Sequence, residues 1–315
     1  MITRLIQKVK ISVVSYPFAA NTMLLAYNKK FFDDPENKKT YLDQFHQELK
    51  VPSTWEEYKR IAAFFTNKNK GTYGICMEGA AGGWLYYEWC QYLQGFGGKV
   101  MDKEWGWMGD ENTKVNVNSA IALQSTEYMM SLKPYNAGGF INTDGNEQIK
   151  VMKEGKTAMC LIWSDYVRGL TYNGDETDPR FGVSEVPGTQ SMLAGGAFFI
   201  SRQSKYPQES FRYVMSLFQK DTQIKLVQKG LCSPLKSAYD AEEVQEIPYI
   251  PALKASLSRG VYALEAGPDA DMINSTITTY MQQVWNSRRT IGDALNAAQS
   301  EVVTKRKDIF RQLKK

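Results

Sequence analysis

The chain has 315 residues, 43% of them apolar, 23% charged and 12% aromatic, with 24 Gly and 11 Pro, the composition of a folded protein long enough for two lobes. This excludes a disordered chain, a collagen-like repeat and a disulfide miniprotein, and no apolar run approaches the roughly 18 residues that cross a bilayer. The formal charge is +4, but six bases and one acid crowd residues 305–315 and three bases residues 1–10, so the body stands near −4 and lacks the basic, aromatic-studded stripe of a nucleic-acid binder.

In chain order, Arg4, Lys8 and Lys10 ahead of an apolar stretch imitate a secretory signal, but Ser12, Ser15 and Tyr16-Pro17 break it. Val9, Ile11 and Val13 instead alternate as in a half-buried strand, predicted over 8–14, with a turn at Tyr16-Pro17. The continuous apolar run 23–27 reads as a strand buried on both faces, which points to an α/β layer structure. Ser53/Glu56 and Thr54/Glu57 form overlapping capping boxes, and Tyr58, Ile61, Ala62 and Phe65 continue a helix face from about Thr54.

A strand follows at 72–77, then an aromatic helix with Leu85, Trp89, Tyr92 and Phe96 on one face, stopped by Gly97-Gly98. Residues 118–132 make a helix with Ile121, Ser125, Tyr128 and Leu132 in register, and a short helix bearing Ile149 and Met152 ends at Gly155. Residues 157–162 form a compact buried strand, and 181–186 and 197–200 are further extended runs. Pro207 opens a helix with Phe211, Val214, Met215 and Phe218 facing the core. The last third is helical, and its basic tail, with Ile309, Phe310 and Leu313 at helical spacing, is the solvated side of a terminal helix.

Cys76, Cys90, Cys160 and Cys232 show no Cys-x-x-Cys and no grouping with the single histidine, so buried free thiols are expected and a zinc site is not. His46 lies in a polar stretch without a nucleophile elbow, a poor candidate for a catalytic base. Gly95-Phe-Gly97-Gly98 follows a helix and has Val100 where a dinucleotide loop has its third glycine, and no phosphate-binding loop is present. No cofactor is expected. Carboxylates are numerous enough that a pair set for glycoside hydrolysis stays open.

The informative stretch is 140–204. A helix ended by Gly155 leads through a strand to Trp163-Ser-Asp165-Tyr166, then Phe181-Gly-Val183, Val186-Pro-Gly188, Leu193-Ala-Gly-Gly-Ala197 and the helix bearing Phe211. Together with Tyr16-Pro-Phe-Ala-Ala-Asn-Thr22, Tyr27-Asn-Lys-Lys-Phe31, Pro52-Ser-Thr-Trp-Glu-Glu57, Tyr73-Gly74, Gly230 and Ser233-Pro234, this resembles the extracellular solute-binding proteins of ABC transporters, family 1, the maltose and oligosaccharide type. The order and spacing of these motifs cover nearly the whole chain.

The resemblance implies a type II periplasmic-binding-protein-like α/β clamshell that closes on a mono- or oligosaccharide and docks on permease subunits of an importer, without catalysis, in the periplasm or outside the cell at the membrane. A pyranose offers apolar faces and a hydroxyl rim, so its site needs aromatic platforms and oxygen acceptors. Trp163 as platform and Asp165 as acceptor stand at the carboxyl end of a strand, where ligands of open α/β sheets sit. Gly195 and Gly196 would let backbone amides approach, Trp84 is a candidate second platform, and Tyr16 and Asn21 are candidate contacts. Each aromatic has core packing as its alternative, and Trp89, Tyr92, Phe96 and Trp285 are assigned to packing.

Against the family layout, 24–199 with 235–315 would form a complete carboxyl-terminal lobe. Residues 1–22 with 203–232 would be the hinges and remnant of an amino-terminal lobe that is otherwise truncated. The Phe211 helix should then show apolar surface. Two other functions remain: a sugar-active hydrolase or lyase, needing two carboxylates across the ligand, and a binder of a non-sugar solute such as a polyamine, needing a cluster of open carboxylates.

Overall fold

A computed structural model describes residues 15–102, 111–260, 262–263 and 267–313; the strand expected at 8–14 lies outside them. The fold is organised on one long strand, β1 (Tyr16–Asn28). Its inner half pairs antiparallel with β3 (Thr157–Trp163) on one side and β6 (Phe181–Ser184) on the other, and its outer half pairs with β7 (Met192–Phe198). Parallel to β3 runs β2 (Tyr73–Ile75), and parallel to the start of β7 runs β8 (Tyr262–Ala263). A separate hairpin joins β4 (Tyr172–Asn173) to β5 (Glu176–Thr177).

Tyr16-Pro17, expected to turn, is the beginning of β1. Proline survives there because the register slips between Pro17 and Ala19, so its missing N–H falls at an irregularity of the ladder. Gly195, expected to open the backbone to a ligand, is needed by the sheet itself: a Cβ would sit 2.3 Å from the carbonyl oxygen of Ala19, whereas one at Gly196 would meet open space.

Alternation along β1 and β3 divides the core in two. Met23, Leu25, Met159, Leu161 and Trp163 enter one cluster, and Leu24, Ala26, Cys160 and Ile162 the other. All seven residues of β3 are buried, and each large aliphatic among them contributes about 1.5–3 kcal/mol of burial. The first face is covered by α1 (Lys29–Asp33), α2 (Pro35–Phe45), α3 (Trp55–Phe65), α4 (Trp84–Gly95), α5 (Ala120–Ser131), α12 (Ala270–Trp285) and α13 (Ile291–Leu313). The second is covered by α6 (Gly145–Lys153), α7 (Val167–Thr171), α9 (Lys220–Gln228), α10 (Glu242–Gln245) and α11 (Ile250–Arg259).

Of the two overlapping caps at α3, the one at Thr54 forms. Glu57 N donates to Thr54 Oγ1, while one Glu57 carboxyl oxygen accepts from the backbone N–H groups of both Ser53 and Thr54, leaving Glu56 outside. His46 closes α2 in a left-handed conformation on the surface. In α5 the core face is Ala122, Ser125, Thr126 and Met129, and Ile121 is exposed. The rotation has a cause: the buried Trp89 indole N–H needs an acceptor and finds Thr126 Oγ1 at 2.8 Å. Phe140 stacks on Trp285 at 3.6 Å between centroids, which fixes that tryptophan in the packing. All four cysteines are buried and free.

The helix opened by Pro207, α8 (Pro207–Leu217), buries Val214. Phe211 is 40% and Tyr213 65% exposed, and Phe199 and Tyr206 lie open nearby in sequence, so an apolar face is on the surface. In α13 the basic tail is solvated except at Arg306, which follows Ala298 and Val302 on the inward face. Arg306 pairs with buried Asp269 at 2.7 Å and donates to the Thr113 carbonyl at 2.9 Å.

Asp269→Ala would leave Arg306 charged in the interior, and urea unfolding should show a loss of about 3 kcal/mol. Gly195→Ala should destabilise by about 1–3 kcal/mol through its collision with β1, while Gly196→Ala should fall within about 0.5 kcal/mol of the parent. Equal effects of the two glycine substitutions would remove this account of Gly195.

Candidate functional site

The register of β1 and β3 builds the site. Met23 lies opposite Trp163, so two residues further on Asn21 faces Asp165. Beside them Ser164 N donates to Thr22 O at 2.9 Å, and Thr22 N donates to Ser164 Oγ at 3.0 Å. Ser164 Oγ also accepts from Cys232 Sγ at 3.1 Å, and Thr22 Oγ1 donates to Ser191 Oγ at 2.7 Å, which passes on to the Met23 carbonyl at 2.6 Å. Burial and the nearby Asp165 charge push the Cys232 thiol up to about 12, although its bond to Ser164 works against them, so it is a proton donor in this network.

Asp165 projects from the end of β3 with much of its surface open. Desolvation by the surrounding walls raises its pKa above the ordinary aspartate value, while its own backbone N–H and the Asn21 side chain favour the ionised form. Next to it Tyr166 meets Trp84 edge-on, with ring centroids 5.5 Å apart. Trp84 is half-buried and begins α4 directly after Gly82 and Gly83, both at positive φ. Gly83 has a second reason to be glycine: a Cβ would lie 2.7 Å from the Tyr87 ring.

The fold therefore sets Asn21 beside Asp165, and Trp84 against Tyr166, the residue next to Asp165. Trp163 is only 5% exposed and packs edge-on against Tyr87 at 5.4 Å, which is the setting of a core aromatic beneath the site rather than an open stacking platform. Tyr16 stands five residues before Asn21, roughly 17 Å along an extended strand. Its ring touches Phe211 and Phe218. Gly195 and Gly196, both exposed, lie on β7 opposite Ala20 and Ala19 of β1.

Two acids escaped the sequence reading. Glu78, just past β2, and Glu88, in the middle of α4, are both 0% exposed. Glu78 N donates to Glu88 Oε2 at 3.4 Å and Tyr92 OH donates to Glu88 Oε1 at 2.7 Å, yet neither carboxyl oxygen of Glu78 has a hydrogen-bond partner among the described residues. Burial raises the Glu88 carboxyl to about 8 against the Tyr92 bond. Burial, then the charges of Glu88, Asp165 and Asp144, hold Glu78 well above the ordinary range.

Burial thus favours the neutral form of both acids in the folded chain. Because the folded state keeps protons that the unfolded chain gives up near pH 4.5, their contribution to stability is full below that value and is lost as pH rises, for Glu88 through about 8. Glu88 had a visible signal: it precedes Tyr92 by one helical turn and so shares the apolar face of α4. Glu78 had none; its neighbours Gly79 and Ala80 are held by the Thr143 carbonyl, far along the chain.

The chemistry available is that of a polar ligand with apolar faces. Trp84 and Tyr166 supply aromatic surface, Asp165 an acceptor and Asn21 an amide. Among the described residues no cluster of His, Cys, Asp or Glu is arranged to hold a metal ion, and no helix is long and apolar enough to cross a membrane. A cavity of about 570 Å³ lined in part by Lys114, Asn116 and Lys307 shares no residue with this site.

Three relatives set these features in context. A mannitol-binding protein of Pseudomonas aeruginosa is 27% identical over 168 residues, an alignment that takes in 50% of this chain and 32% of that protein. A maltose-bound protein of T. maritima superposes with a TM-score of 0.75 at 20% identity, covering 93% of this chain and 73% of that one. A solute-binding protein of an Agrobacterium radiobacter ABC transporter, in complex with ribitol, gives 0.76 at 21% identity, covering 94% and 72%. The fold is that of the type II periplasmic binding proteins. The family model for bacterial extracellular solute-binding proteins matches residues 3–224, and the chain belongs to that family.

Proposed function

We propose that this chain binds a carbohydrate or polyol as the capture component of an ABC importer, outside the cytoplasmic membrane, delivering it to permease subunits and carrying out no chemistry on it. The observation that carries the reading is the grouping of one open carboxylate, Asp165, with the Asn21 amide and the Trp84 and Tyr166 rings. An ionised acceptor of this kind can take two adjacent hydroxyls, and the rings match the C–H faces between them. The maltose-, mannitol- and ribitol-binding relatives agree in ligand class.

The lobe boundaries belong to the same proposal. Residues 24–199 and 235–315 are the lobe that bears Asp165, Trp84 and Tyr166, and 1–22, which brings Asn21, belongs with 203–232 to the hinges and opposing side. The exposed rings of α8 suit a surface that faces a second lobe, and α9, packed on the second core, marks where the two meet. A hydrolase fits less well. It needs two carboxylates flanking the ligand, and of the described acids grouped here Glu78 and Glu88 are enclosed, which leaves Asp165 with the half-buried helix cap Asp144. A polyamine site would need several open carboxylates and meets the same objection.

Calorimetric and tryptophan-fluorescence titrations with maltose, mannitol and ribitol test this. At least one should bind saturably, Asp165→Asn should weaken it about 10-fold or more, and Trp84→Ala should weaken it by a similar factor while reducing the fluorescence response. Silence with all three solutes would sink the reading. Slow product formation from an oligosaccharide, abolished in Asp165→Asn, would favour the hydrolase.

A further inference from the structure

Glu78 lies within reach of the Asp165 charge, in the segment that leads to Trp84, and Glu88 lies one turn into the helix that Trp84 begins. Residues 77–83 connect β2 to α4 and deliver Trp84. Met77 N donates to Asn136 Oδ1 at 2.7 Å, and the N–H groups of Gly79 and Ala80 share the Thr143 carbonyl at 3.0 and 3.1 Å. At the far end Gly82 and Gly83 take φ of +85° and +115°, a ready pivot. Between these points sits Glu78, fully enclosed and without a donor for either oxygen among the described residues.

We propose that the Glu78–Glu88 pair makes the solute site proton-operated: protonated, it keeps residues 77–83 and Trp84 seated for solute, and on losing a proton it drives that segment outward and lets the solute go. This rests on the solute-binding reading of the site. The physical reason is that a carboxylate formed on Glu78 has no hydrogen-bond donor among the described residues, and one formed on Glu88 keeps only the Tyr92 hydroxyl and the Glu78 N–H in an otherwise dry interior. The charged groups that bear on Glu78 are the acids Glu88 from α4, Asp165 from the end of β3 and Asp144 from the cap of α6. Moving a charge out to water past the glycine pivot costs less than holding it inside.

The other titratable groups around the pair stay neutral over the working range. Tyr92 and Tyr58 behind Glu88 are pushed up by burial and then by the Glu88 charge. Cys76, just past β2, and Cys160 on β3 are raised by burial in the same way, as are Tyr87 and Tyr166, with Cys90 and then Asp271 adding to the effect on Tyr87. Burial raises Asp165 as well, and its protonation as pH falls removes the acceptor, the opposite direction to ionisation of the pair as pH rises. An alkaline loss of affinity therefore belongs to the pair and an acid loss to Asp165.

The test is titration of the full chain with maltose, mannitol and ribitol at pH 5 to 9, beside hydrogen exchange of residues 77–83 corrected for the intrinsic pH dependence of exchange. In the parent chain affinity should fall about 10-fold or more between pH 6.5 and 9, and exchange in this segment should rise over the same interval while that of β3 does not. Glu78→Gln and, independently, Glu88→Gln should flatten both profiles. Affinity and exchange that do not change with pH in the parent, or an alkaline limb that persists in both variants, would overturn the proposal. If no solute binds at any pH the solute-binding reading falls, and the exchange profile still decides whether the pair moves the segment.

Discussion

The arrangement of this molecule depends on the hydrogen-bond knot where β1 passes from one set of partners to the other. Thr22, Ser164, Ser191 and Cys232 come from four separate segments and meet with their polar side chains buried. Each hydroxyl there satisfies a group that would otherwise be stranded away from water. The knot fixes β1 against β3 and β7 at one point. From that point the neighbouring residues Asn21 and Asp165 acquire their positions, so the site follows from the sheet register and needs no special loop to assemble it.

Near the site the molecule accepts an unfavourable element. Two glutamic acids are kept in an interior whose other occupants are largely aromatic and aliphatic, and one of them has a carboxyl without a partner among the described residues. A pair of glutamines or leucines would pack with less penalty. Stability alone does not account for the acids, which flank Trp84 in the chain, Glu78 before it and Glu88 one turn after it. The neutral form is compatible with the dry interior and the ionised form is not, which gives this part of the core two states in place of one.

Much of the fold was legible in the sequence because local rules agreed with the tertiary answer. The Thr54–Glu57 cap, the uniformly apolar β3 and the stop of α4 at Gly97 follow from short-range chemistry. The failures share a cause. Tyr16-Pro17 reads as a turn until the slipped register beside it is known, and Ile121 reads as core until Trp89 claims Thr126. Arg306 reads as surface until Asp269 comes to meet it. Within the site, Asp165 and Asn21 could be named from motif resemblance, but the depth at which Trp163 sits, and the presence of two acids nearby, depend on segments joined only by folding. A tryptophan at a strand end carries no local mark that distinguishes a platform from a floor.

The reach of β1 also has a kinetic side. Hydrogen bonds tie Thr22 to Ser164 and Ser191 across 142 and 169 positions of chain. A growing polypeptide makes this central strand before β3, β6 and β7, its partners among the described residues, and must hold it without them until they have been made. Helices with local contacts can form meanwhile, but the closure of such long loops is slow and comes late. Until then the run from Met23 to Ala26 is an apolar segment with both edges open, a form in which strands associate with one another. The element that unites the finished structure is the one most in need of protection while the chain folds.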